Sequence, residues 1–520
     1  MKIEECLIKF IEICDKLQNY RNANKLNQVV LLDEVSVEIM KSLYNGLSSL
    51  EKHEMIKVFD SINDVSMRIY IYSIAIEIFN CEIWVDTLLD TLLDTDMEAA
   101  RLLFHFNQIE SVIFRRKLNL FIEKRTLLKK KILNALNIEQ YFKYEKYENR
   151  NKKKLVFIME QFLGVRHSPS LVLANWLHVF NRLGYEVSVI SLNMNNIEKR
   201  YCLDLCNTFY SNNIMDETGK YKVKIFGKQR DILNIKFHAD NLNYDLLLGL
   251  AAIYRYNPEF VIDFGGTNIL SDLCTNFTTV VALPCVNELP VCMTPYVIRY
   301  FQGEYTESYK QSTACGKKVY DVPYSVELRS EEEEPENIEL PKDRFLISIV
   351  GNRLDQEVDS DMISYLKEVS QLHEQVEYVI IGSVSTLKQN LDSMNHKCHF
   401  LGYVKNLKKV LSQTNLFFNP KRVGGGGGAL QAIQVGVPVF TMGECDVSAI
   451  VGDKFVYDSF EEFKNVVDRY INDDEYAAEQ QKNAHYQYNK VYLKDNDKLF
   501  SNFCEELVRE IIINEEKMFS

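Results

Sequence analysis

A run of five glycines at residues 424–428 constrains the fold of this chain more than any other feature. Residues 416–418 before the run are typical of a buried strand, and residues 429–435 after it favour a helix. Glycine permits positive φ and close approach to the backbone. A helix that opens there, at Gly428 and Ala429, presents unpaired N–H groups and the positive end of its dipole, so we expect it to bind a phosphate group.

Other interpretations of the glycine run fit less well. A flexible linker would be expected to lie between domains and to contain serine. This run contains no serine and lies inside a strand–helix–strand series. The run trivially satisfies a dinucleotide fingerprint, but no acidic residue closes a second strand about 20 residues further on. A Walker loop is excluded because no Lys-Ser or Lys-Thr pair follows the glycines. We expect Lys421 and Arg422 to add mobile positive charge beside the phosphate.

Two series of alternating strands and helices predict two α/β domains with parallel sheets. The first series has strands at 155–159, 186–192, 222–226, 260–264 and 279–283, with a helix at 170–183. The second has strands at 345–350, 376–381, 399–401, 416–418 and 439–441. Residues 327–342 carry seven glutamates and two prolines, which is typical of an exposed linker between the two domains.

The first 150 residues contain no proline, and apolar residues recur there at helical spacing in segments 36–50, 54–62, 65–79 and 97–109. We therefore predict an all-α domain at 1–150, a first Rossmann-like domain at 151–330, and a second at 331–520 with closing C-terminal helices. The basic, tyrosine-rich stretch 124–154 marks the first boundary. It fits a solvated helix face with a linker, or a surface for an anionic acceptor or lipid headgroup.

Charge and cysteine content narrow the possible functions. Sixty basic and seventy-three acidic residues give a net charge of −13, which opposes a general role in nucleic-acid binding. We find no export signal, and the longest apolar stretch is far short of the ~20 residues of a membrane span. The twelve cysteines lack CxxC pairs and fit reduced thiols. We expect a soluble, cytoplasmic protein with at most peripheral membrane contact and an undefined oligomeric state.

Two further loops follow predicted strands, at the sheet edge where doubly wound folds bind ligands. After 155–159, His167 is a candidate general base, with Glu160 as the alternative base and Arg166 as a phosphate contact. His167 also fits a purely structural loop residue. After 260–264, Asp263 and Gly265 lie in a further loop at this edge.

The loop after 345–350 carries Asn352 and Arg353, and an arginine there is able to clamp a diphosphate through two parallel hydrogen bonds. Arg353 also fits a surface ion pair with Asp355 or Glu357. Asp446, after strand 439–441, is a further candidate at the same edge of the second sheet.

Residues 154–458, and most strongly 416–443, resemble GT-B glycosyltransferases, in particular the family-4-like nucleotide-sugar transferases. The resemblance is carried by Gly425, by Leu430-Gln431-Ala432, by Gly436 and by Pro438-Val439-Phe440. It implies two Rossmann-like domains that face each other across a cleft, with the nucleotide held mainly by the second. Two glutamates that retaining members place with seven residues between them fall here on Val423 and Gln431, and Gln431 is left to contact a ribose or sugar hydroxyl.

The resemblance implies a hexosyl- or N-acetylhexosaminyltransferase whose donor is a nucleotide-diphosphate sugar. We expect no cofactor beyond the donor and no metal, because the helix terminus itself neutralises a diphosphate. The acceptor is a polypeptide held by the helical domain or a glycan. The resemblance implies that His167 or Glu160 takes the proton from its hydroxyl, that Asp446 lies on the donor side, and that the acceptor side is lined by Arg166, Asp263 and Gly265. A noncatalytic subunit that binds a partner glycosyltransferase and an epimerase-like enzyme are the alternatives. The expected diphosphate contacts are Asn352, Arg353, Lys421, Arg422, Gly425, Gly426, Gly427, Gly428 and Ala429.

Overall fold

A computed structural model describes residues 2–22, 34–79, 81–116, 121–164, 168–194, 215–225, 228–285, 289–300, 307–322, 338–422, 424–443, 445–491 and 496–520. The predicted fold class is confirmed, because an all-α region is followed by two α/β units, each with its own sheet.

The N-terminal region is all helical in its described part. Ser48 explains one boundary: its hydroxyl accepts from the Glu51 N–H while the Glu51 carboxylate accepts from the Ser48 N–H, a capping box that starts a new helix. The helix expected at 36–50 therefore divides in two. Trp84 is fully buried among aromatic rings at the centre of this region. The helices are Lys2–Asn22, Glu34–Asn45, Ser49–Asp60, Val65–Phe79, Glu82–Asp94, Ala99–Arg116 and Ile122–Leu136.

The first sheet has eight strands in the order β3-β4-β2-β1-β5-β6-β7-β8. Strand β3 pairs antiparallel with β4, so the expectation of a wholly parallel sheet is wrong at this edge. Strands β4, β7 and β8 were not predicted, because β4 begins with polar residues and the other two have four residues each. The strands are β1 (Asn151–Met159), β2 (Glu186–Asn193), β3 (Gly219–Ile225), β4 (Lys228–Lys236), β5 (Pro258–Phe264), β6 (Val280–Leu283), β7 (Tyr296–Arg299) and β8 (Lys318–Asp321).

The helical region packs directly on one face of the first sheet. One continuous apolar core includes Leu102 and Leu128 from the helical region together with Ile158 of β1 and Leu270. The opposite face forms a second core that contains Trp176. Because the two regions share buried apolar surface, the helical region is part of the scaffold of the first sheet. The associated helices are Ser168–Arg182, Leu242–Tyr256, Ile269–Cys274 and Glu307–Ala314.

The second sheet is parallel throughout and has the order β11-β10-β9-β12-β13-β14, the 3-2-1-4-5-6 order of a doubly wound fold. Its strands are β9 (Phe345–Val350), β10 (Val376–Ile381), β11 (Cys398–Gly402), β12 (Leu416–Phe418), β13 (Val439–Met442) and β14 (Val456–Tyr457). Its helices are Leu354–Glu357, Ser360–Leu372, Thr386–Asn390, Leu407–Leu411, Gly426–Gln434, Asp446–Val451 and Glu461–Asn472.

The last two helices connect the two α/β units. Helix Asp474–Val491 packs on Gly426–Gln434, and the C-terminal helix, Asn496–Phe519, returns to the first sheet. There the Phe500 ring contacts the Trp176 ring edge to face at 4.7 Å between centroids. No helix in the described part of the chain is long and apolar enough to span a bilayer.

Candidate functional site

The glycine run forms a left-handed turn that leads into the helix Gly426–Gln434, here called the glycine helix. Gly424 and Gly425 have φ of 88° and 87°, a region that other residues rarely adopt. The Gly425 carbonyl accepts from the N–H groups of Gly428 and Ala429 at 3.1 and 3.4 Å, the first bonds of the helix. The helix thus begins two residues earlier than we expected, and the N–H groups of Gly426 and Gly427 precede its first hydrogen bond.

Packing explains why glycine is needed at two positions of the run. A Cβ on Gly425 would lie 2.5 Å from Nε of Arg422, and a Cβ on Gly426 would lie 2.5 Å from Cδ1 of Ile450. Either contact is far inside van der Waals distance. The turn therefore lies directly against a guanidinium on one side and against the helix Asp446–Val451 on the other.

Arg422 is a buried structural cation. Its side chain is 5% exposed and donates to Asn419 Oδ1 at 2.9 Å, to the Val350 carbonyl at 2.8 Å and to Glu357 Oε2 at 3.0 Å. Burial lowers the pKa of Arg422 below its usual range, although Glu357 opposes this. The expectation that Arg422 supplies mobile charge is wrong, because its contacts fix the guanidinium beneath the glycine turn.

Arg353 lies beside the same turn and is half-exposed. Its Nη2 is 2.9 Å from Glu357 Oε1 and 3.6 Å from the place that a Cβ on Gly424 would take. Glu357 thus holds both arginines, one with each oxygen. Of the two ion-pair partners considered from the sequence, Glu357 is the one that Arg353 meets, because Asp355 accepts backbone N–H groups from Ser385 and Leu387.

The remaining expected donor contacts lie around the same turn. Asn352 and Lys421 are exposed, and Ala429 is buried in the first turn of the glycine helix. Gln431 is 8% exposed and donates to the Gly427 carbonyl at 3.2 Å, so its amide is engaged within its own helix. Val423 lies outside the described residues.

The position of the turn follows from the strand order. In the second sheet β9 lies between β10 and β12, so the strand order reverses between β9 and β12. The loop with Asn352 and Arg353 follows β9, and the glycine turn follows β12. Both flank the topological switch point, where doubly wound sheets bind ligands.

The first sheet has an equivalent switch point between β1 and β5, and Glu160 follows β1 there. Glu160 Oε1 accepts from the Thr267 hydroxyl at 2.8 Å. Glu160 is exposed, yet the protein around it removes enough water to raise the pKa of its carboxyl, while Thr267 and Lys129 oppose the rise. Arg166 and His167 lie outside the described residues.

The loop after β5 contributes backbone to the site, while its carboxylate is buried. Asp263 is 0% exposed and accepts from Asn268 Nδ2 at 2.6 Å. Burial, and then the charge of Asp272, raise the pKa of Asp263 to about 7. Our expectation that its carboxylate lines the acceptor side is therefore wrong. Gly265 has φ of 113° and open space at the place of a Cβ, so its backbone remains accessible.

A buried ion pair beneath this loop was missed by the sequence analysis. Lys129, from helix Ile122–Leu136, is 0% exposed, and its Nζ lies 2.6 Å from Asp272 Oδ2. Burial opposes the charged form, but Asp272 more than offsets it and raises the pKa of Lys129. Arg150 is also buried and pairs with Glu515 at 2.8 Å. The stretch 124–154 is therefore not simply a solvated face, and no local signal distinguishes these cations from exposed ones.

Cys285, which follows β6, lies near residues of both switch points. It is exposed, yet the protein around it removes enough water to raise the pKa of its thiol, and the carboxylates of Glu160, Asp263 and Asp446 add to the rise, to about 12. Asp446 begins the helix that follows β13, and its carbonyl lies 3.6 Å from the place of a Cβ on Gly426. Glu160 at the end of β1 and Asp446 beside the start of the glycine helix are therefore both close enough to Cys285 for their charges to act on it. Within the described residues, no group of three or more His, Cys, Asp or Glu side chains is arranged to hold a metal ion.

Comparison with known proteins agrees with this architecture. Residues 344–473 match the family model "Glycosyl transferases group 1". The chain is similar to a mutant O-GlcNAc transferase of Thermobaculum terrenum, with 10% identity over 98% of this chain and 97% of that one, at a TM-score of 0.51. No curated protein matches the sequence.

Two other solved structures are similar to about two thirds of the chain. One is S. aureus TarM in complex with UDP and other ligands, with 11% identity over 68% of this chain and 99% of that one, at a TM-score of 0.46. The other is Anabaena HepE in complex with UDP and glucose, with 12% identity over 68% and 98%, at a TM-score of 0.45. The full-length likeness to the T. terrenum protein shows that this chain has the GT-B fold.

Proposed function

We propose that this chain, which has the GT-B fold and a domain matching the group 1 glycosyl transferases, moves a sugar from a nucleotide-diphosphate sugar to an acceptor hydroxyl. The observation that carries the proposal is the start of the glycine helix beside Arg353, where Gly425 and Gly427 are partly exposed, with the Glu160 carboxylate at the equivalent switch point of the first sheet. The glycine helix and Arg353 offer N–H groups to an anionic leaving group, and the Glu160 carboxylate is able to take up a proton.

On the donor side, the N–H groups of Gly426 and Gly427 and the guanidinium of Arg353 bind the diphosphate. As the bond between the anomeric carbon and the diphosphate oxygen breaks, negative charge grows on that oxygen. Fixed N–H groups and a cation stabilise this charge without reorganising, which lowers the barrier. Lys421 and Asn352, both exposed at the same edge, contact the outer phosphate or the ribose.

On the acceptor side, Glu160 is our candidate base among the described residues. The acceptor oxygen attacks the anomeric carbon, and its proton passes to the Glu160 carboxylate as the bond to the sugar forms. A carboxylate with a raised pKa is a better proton acceptor than one with the ordinary pKa. His167 remains the other candidate, since it follows the same strand in the sequence.

The acceptor is a macromolecule, and a polypeptide is our first choice. Supporting this, the helical region borders the cleft: Glu110 of helix Ala99–Arg116 acts electrostatically on Glu160. The likeness to a protein called O-GlcNAc transferase extends over 98% of this chain, including that region. A concave helical surface suits an extended chain. We also propose that the protein acts in the cytosol and without a metal, so that transfer persists in EDTA.

The direct test is release of nucleotide from a panel of nucleotide-diphosphate sugars by the purified protein, with and without peptide acceptors. Activity that is lost in Glu160→Gln and retained in Glu186→Gln, a substitution at the far end of β2, supports the proposal. If activity is lost in His167→Ala but retained in Glu160→Gln, His167 is the base instead of Glu160.

A noncatalytic subunit is the second candidate. The observation that favours it is Gln431, which stands where retaining members carry a glutamate and is engaged with Gly427. Nucleotide-sugar binding without turnover, whatever acceptor is added, would support this function instead.

A further inference from the structure

Lys129 is a buried cation that the helical region inserts beneath the acceptor side of the cleft. Its Nζ donates to the carbonyl oxygens of Thr267 and Val291, both at 2.7 Å, and pairs with Asp272 Oδ2 at 2.6 Å. The two carbonyls accept hydrogen bonds, whereas the contact with Asp272 Oδ2 is an ion pair without hydrogen-bond geometry. Because Lys129 is 0% exposed, its ammonium is not available to bind a substrate.

One of these three contacts leads directly to the cleft. Thr267 is held through its carbonyl by Lys129, and its own hydroxyl donates to Glu160 Oε1 at 2.8 Å. The loop that bears Thr267 contains Gly265 and Gly266, both with positive φ. Such a turn has few side-chain contacts of its own, so an anchor on Thr267 decides where the hydroxyl lies.

Asp272 completes the anchor from the opposite side. Its Oδ1 accepts from the Met293 N–H at 2.7 Å, so the same carboxylate ties the loop after β6 to the ammonium. Lys129 thus joins the two loops that follow β5 and β6 to the helical region. Removal of the helical region would leave both loops and a buried carboxylate without this cation.

We propose that Lys129 is a positioning residue: it pins Thr267 so that the Thr267 hydroxyl holds the Glu160 carboxylate towards the glycine helix. The inference rests on the function proposed above for Glu160. It gives the helical region a part in the chemistry of the cleft, in addition to any part in binding the acceptor.

Four groups near Glu160 determine in which direction its pKa should shift in the variants. Lys129 favours the ionised form of Glu160, whereas Glu110, Asp263 and Cys285 are negative or neutral neighbours that do not. Loss of either the Lys129 charge or the Thr267 hydrogen bond therefore raises the pKa of Glu160. A base with a raised pKa loses activity first at the acidic end of the pH range.

The test measures the titration of Glu160 itself, by infrared spectroscopy of protein labelled with ¹³C-glutamate, with Glu160→Gln in each background to identify the band. Thr267→Val removes the hydroxyl but keeps the carbonyl that Lys129 holds, and Thr267→Ser keeps both. We expect the titration to shift to higher pH in Thr267→Val and in Lys129→Met, and to stay as in the natural protein in Thr267→Ser.

Lys129→Met leaves Asp272 unpaired, so Lys129→Met/Asp272→Asn serves as the variant that removes both buried charges. An unshifted titration in Thr267→Val and in this double variant would overturn the proposal. The spectrum needs no turnover, so the titration of Glu160 can be measured even in a protein without transferase activity. Failure of the positioning role proposed for Lys129 is therefore distinguishable from failure of the proposed function.

Where turnover is found, kinetics add a second readout. We expect kcat in Thr267→Val to fall about tenfold at the acidic limb while KM for the donor changes less than about twofold. A fall in kcat that is equal at all pH values would instead indicate a purely structural role for the hydrogen bond and would contradict the proposal.

Discussion

The two walls of the cleft occupy equivalent places in two doubly wound sheets, yet they are built by different means. The wall of the second sheet consists of backbone N–H groups at a glycine turn, with Arg353 and Arg422 held by one carboxylate. The wall of the first sheet depends on charges buried beneath it, and Lys129 among them comes from a separate region of the chain. The first design draws on loops of one sheet, whereas the second also requires the helical region to pack against its sheet.

The largest effect that we expect separates the two kinds of cation in helix Ile122–Leu136. Lys129→Met should lower the free energy of unfolding by about 3–5 kcal/mol, because it leaves Asp272 buried without its partner. Lys124→Met is the matched control. Its side chain is 32% exposed and pairs with Asp86 and, at 2.7 Å, with Asp90, both of which reach solvent, so its loss should cost less than about 1 kcal/mol. Denaturant unfolding measures both, and equal costs would refute the special role of burial at Lys129.

In the wall of the second sheet, Gly425→Ala should weaken nucleotide binding tenfold or more. Each factor of ten corresponds to a loss of ~1.4 kcal/mol of binding free energy. The new Cβ adds backbone strain and displaces Arg422, which lies 2.5 Å away. Gly184→Ala has nearly the same φ, 81°, and nothing within 4 Å of its Cβ. Titration calorimetry with nucleoside diphosphates should show loss of affinity in the first variant only, and a loss in both would assign the effect to strain.

The sequence reveals the two walls to different degrees. The strands β9, β10 and β12 and the helix Val65–Phe79 coincide with their predicted bounds, because each is one continuous apolar run or a clear helical repeat. The glycine turn could also be predicted, because the conformational freedom of glycine is a property of its own backbone.

What the sequence did not reveal depends on contacts between distant residues. Lys129 and Asp272 are 143 positions apart (272 − 129), and nothing near Lys129 distinguishes it from Lys130 or Lys131. The burial of Arg422 likewise depends on Glu357 and on the Val350 carbonyl, which only the sheet brings together. Charge burial is therefore a property of the fold, which composition and spacing do not report.

Arg353 has a matched control at the other end of the strand that it follows. Arg344 and Arg353 stand at opposite ends of β9, each with a side chain 41% exposed and each paired with a glutamate, at 3.2 and 2.9 Å. Arg353→Met should weaken nucleoside diphosphate binding about tenfold, the loss of one charge-assisted bond. Arg344→Met, at the amino end, should leave the affinity unchanged. Equal effects of the two substitutions would remove Arg353 from the donor site.

The smallest expected effect is a difference between the two walls in how their carboxylates make the stability of the protein depend on pH. The pKa of Asp263 is raised to about 7 in the fold, so the folded protein keeps a proton that the unfolded chain releases near pH 4. The natural protein therefore loses stability as the pH rises through this window. The Tm of Asp263→Asn should increase relative to the natural protein between pH 5 and pH 8 by a few degrees.

Asp355 in the other wall should show the opposite sign. Partial burial opposes ionisation, but N–H groups of Leu387 and Ser385 lower the pKa of Asp355 overall. Its stabilising contribution is present near neutral pH and is lost as the pH falls through this lowered pKa. Asp355→Asn should thus be less stable than the natural protein at pH 7, with a gap that narrows in acid. Thermal scans across pH would contradict the account if both variants shifted in the same direction.

The central claim is that the start of the glycine helix holds the diphosphate of an activated sugar, opposite Glu160. The most direct measurement is the electron density of a crystal soaked with a nucleoside diphosphate or its sugar conjugate. The account predicts phosphate oxygens within hydrogen-bond distance of the N–H groups of Gly426 and Gly427 and of the Arg353 guanidinium. Density for the nucleotide elsewhere on the protein, with the glycine turn unoccupied, would contradict it.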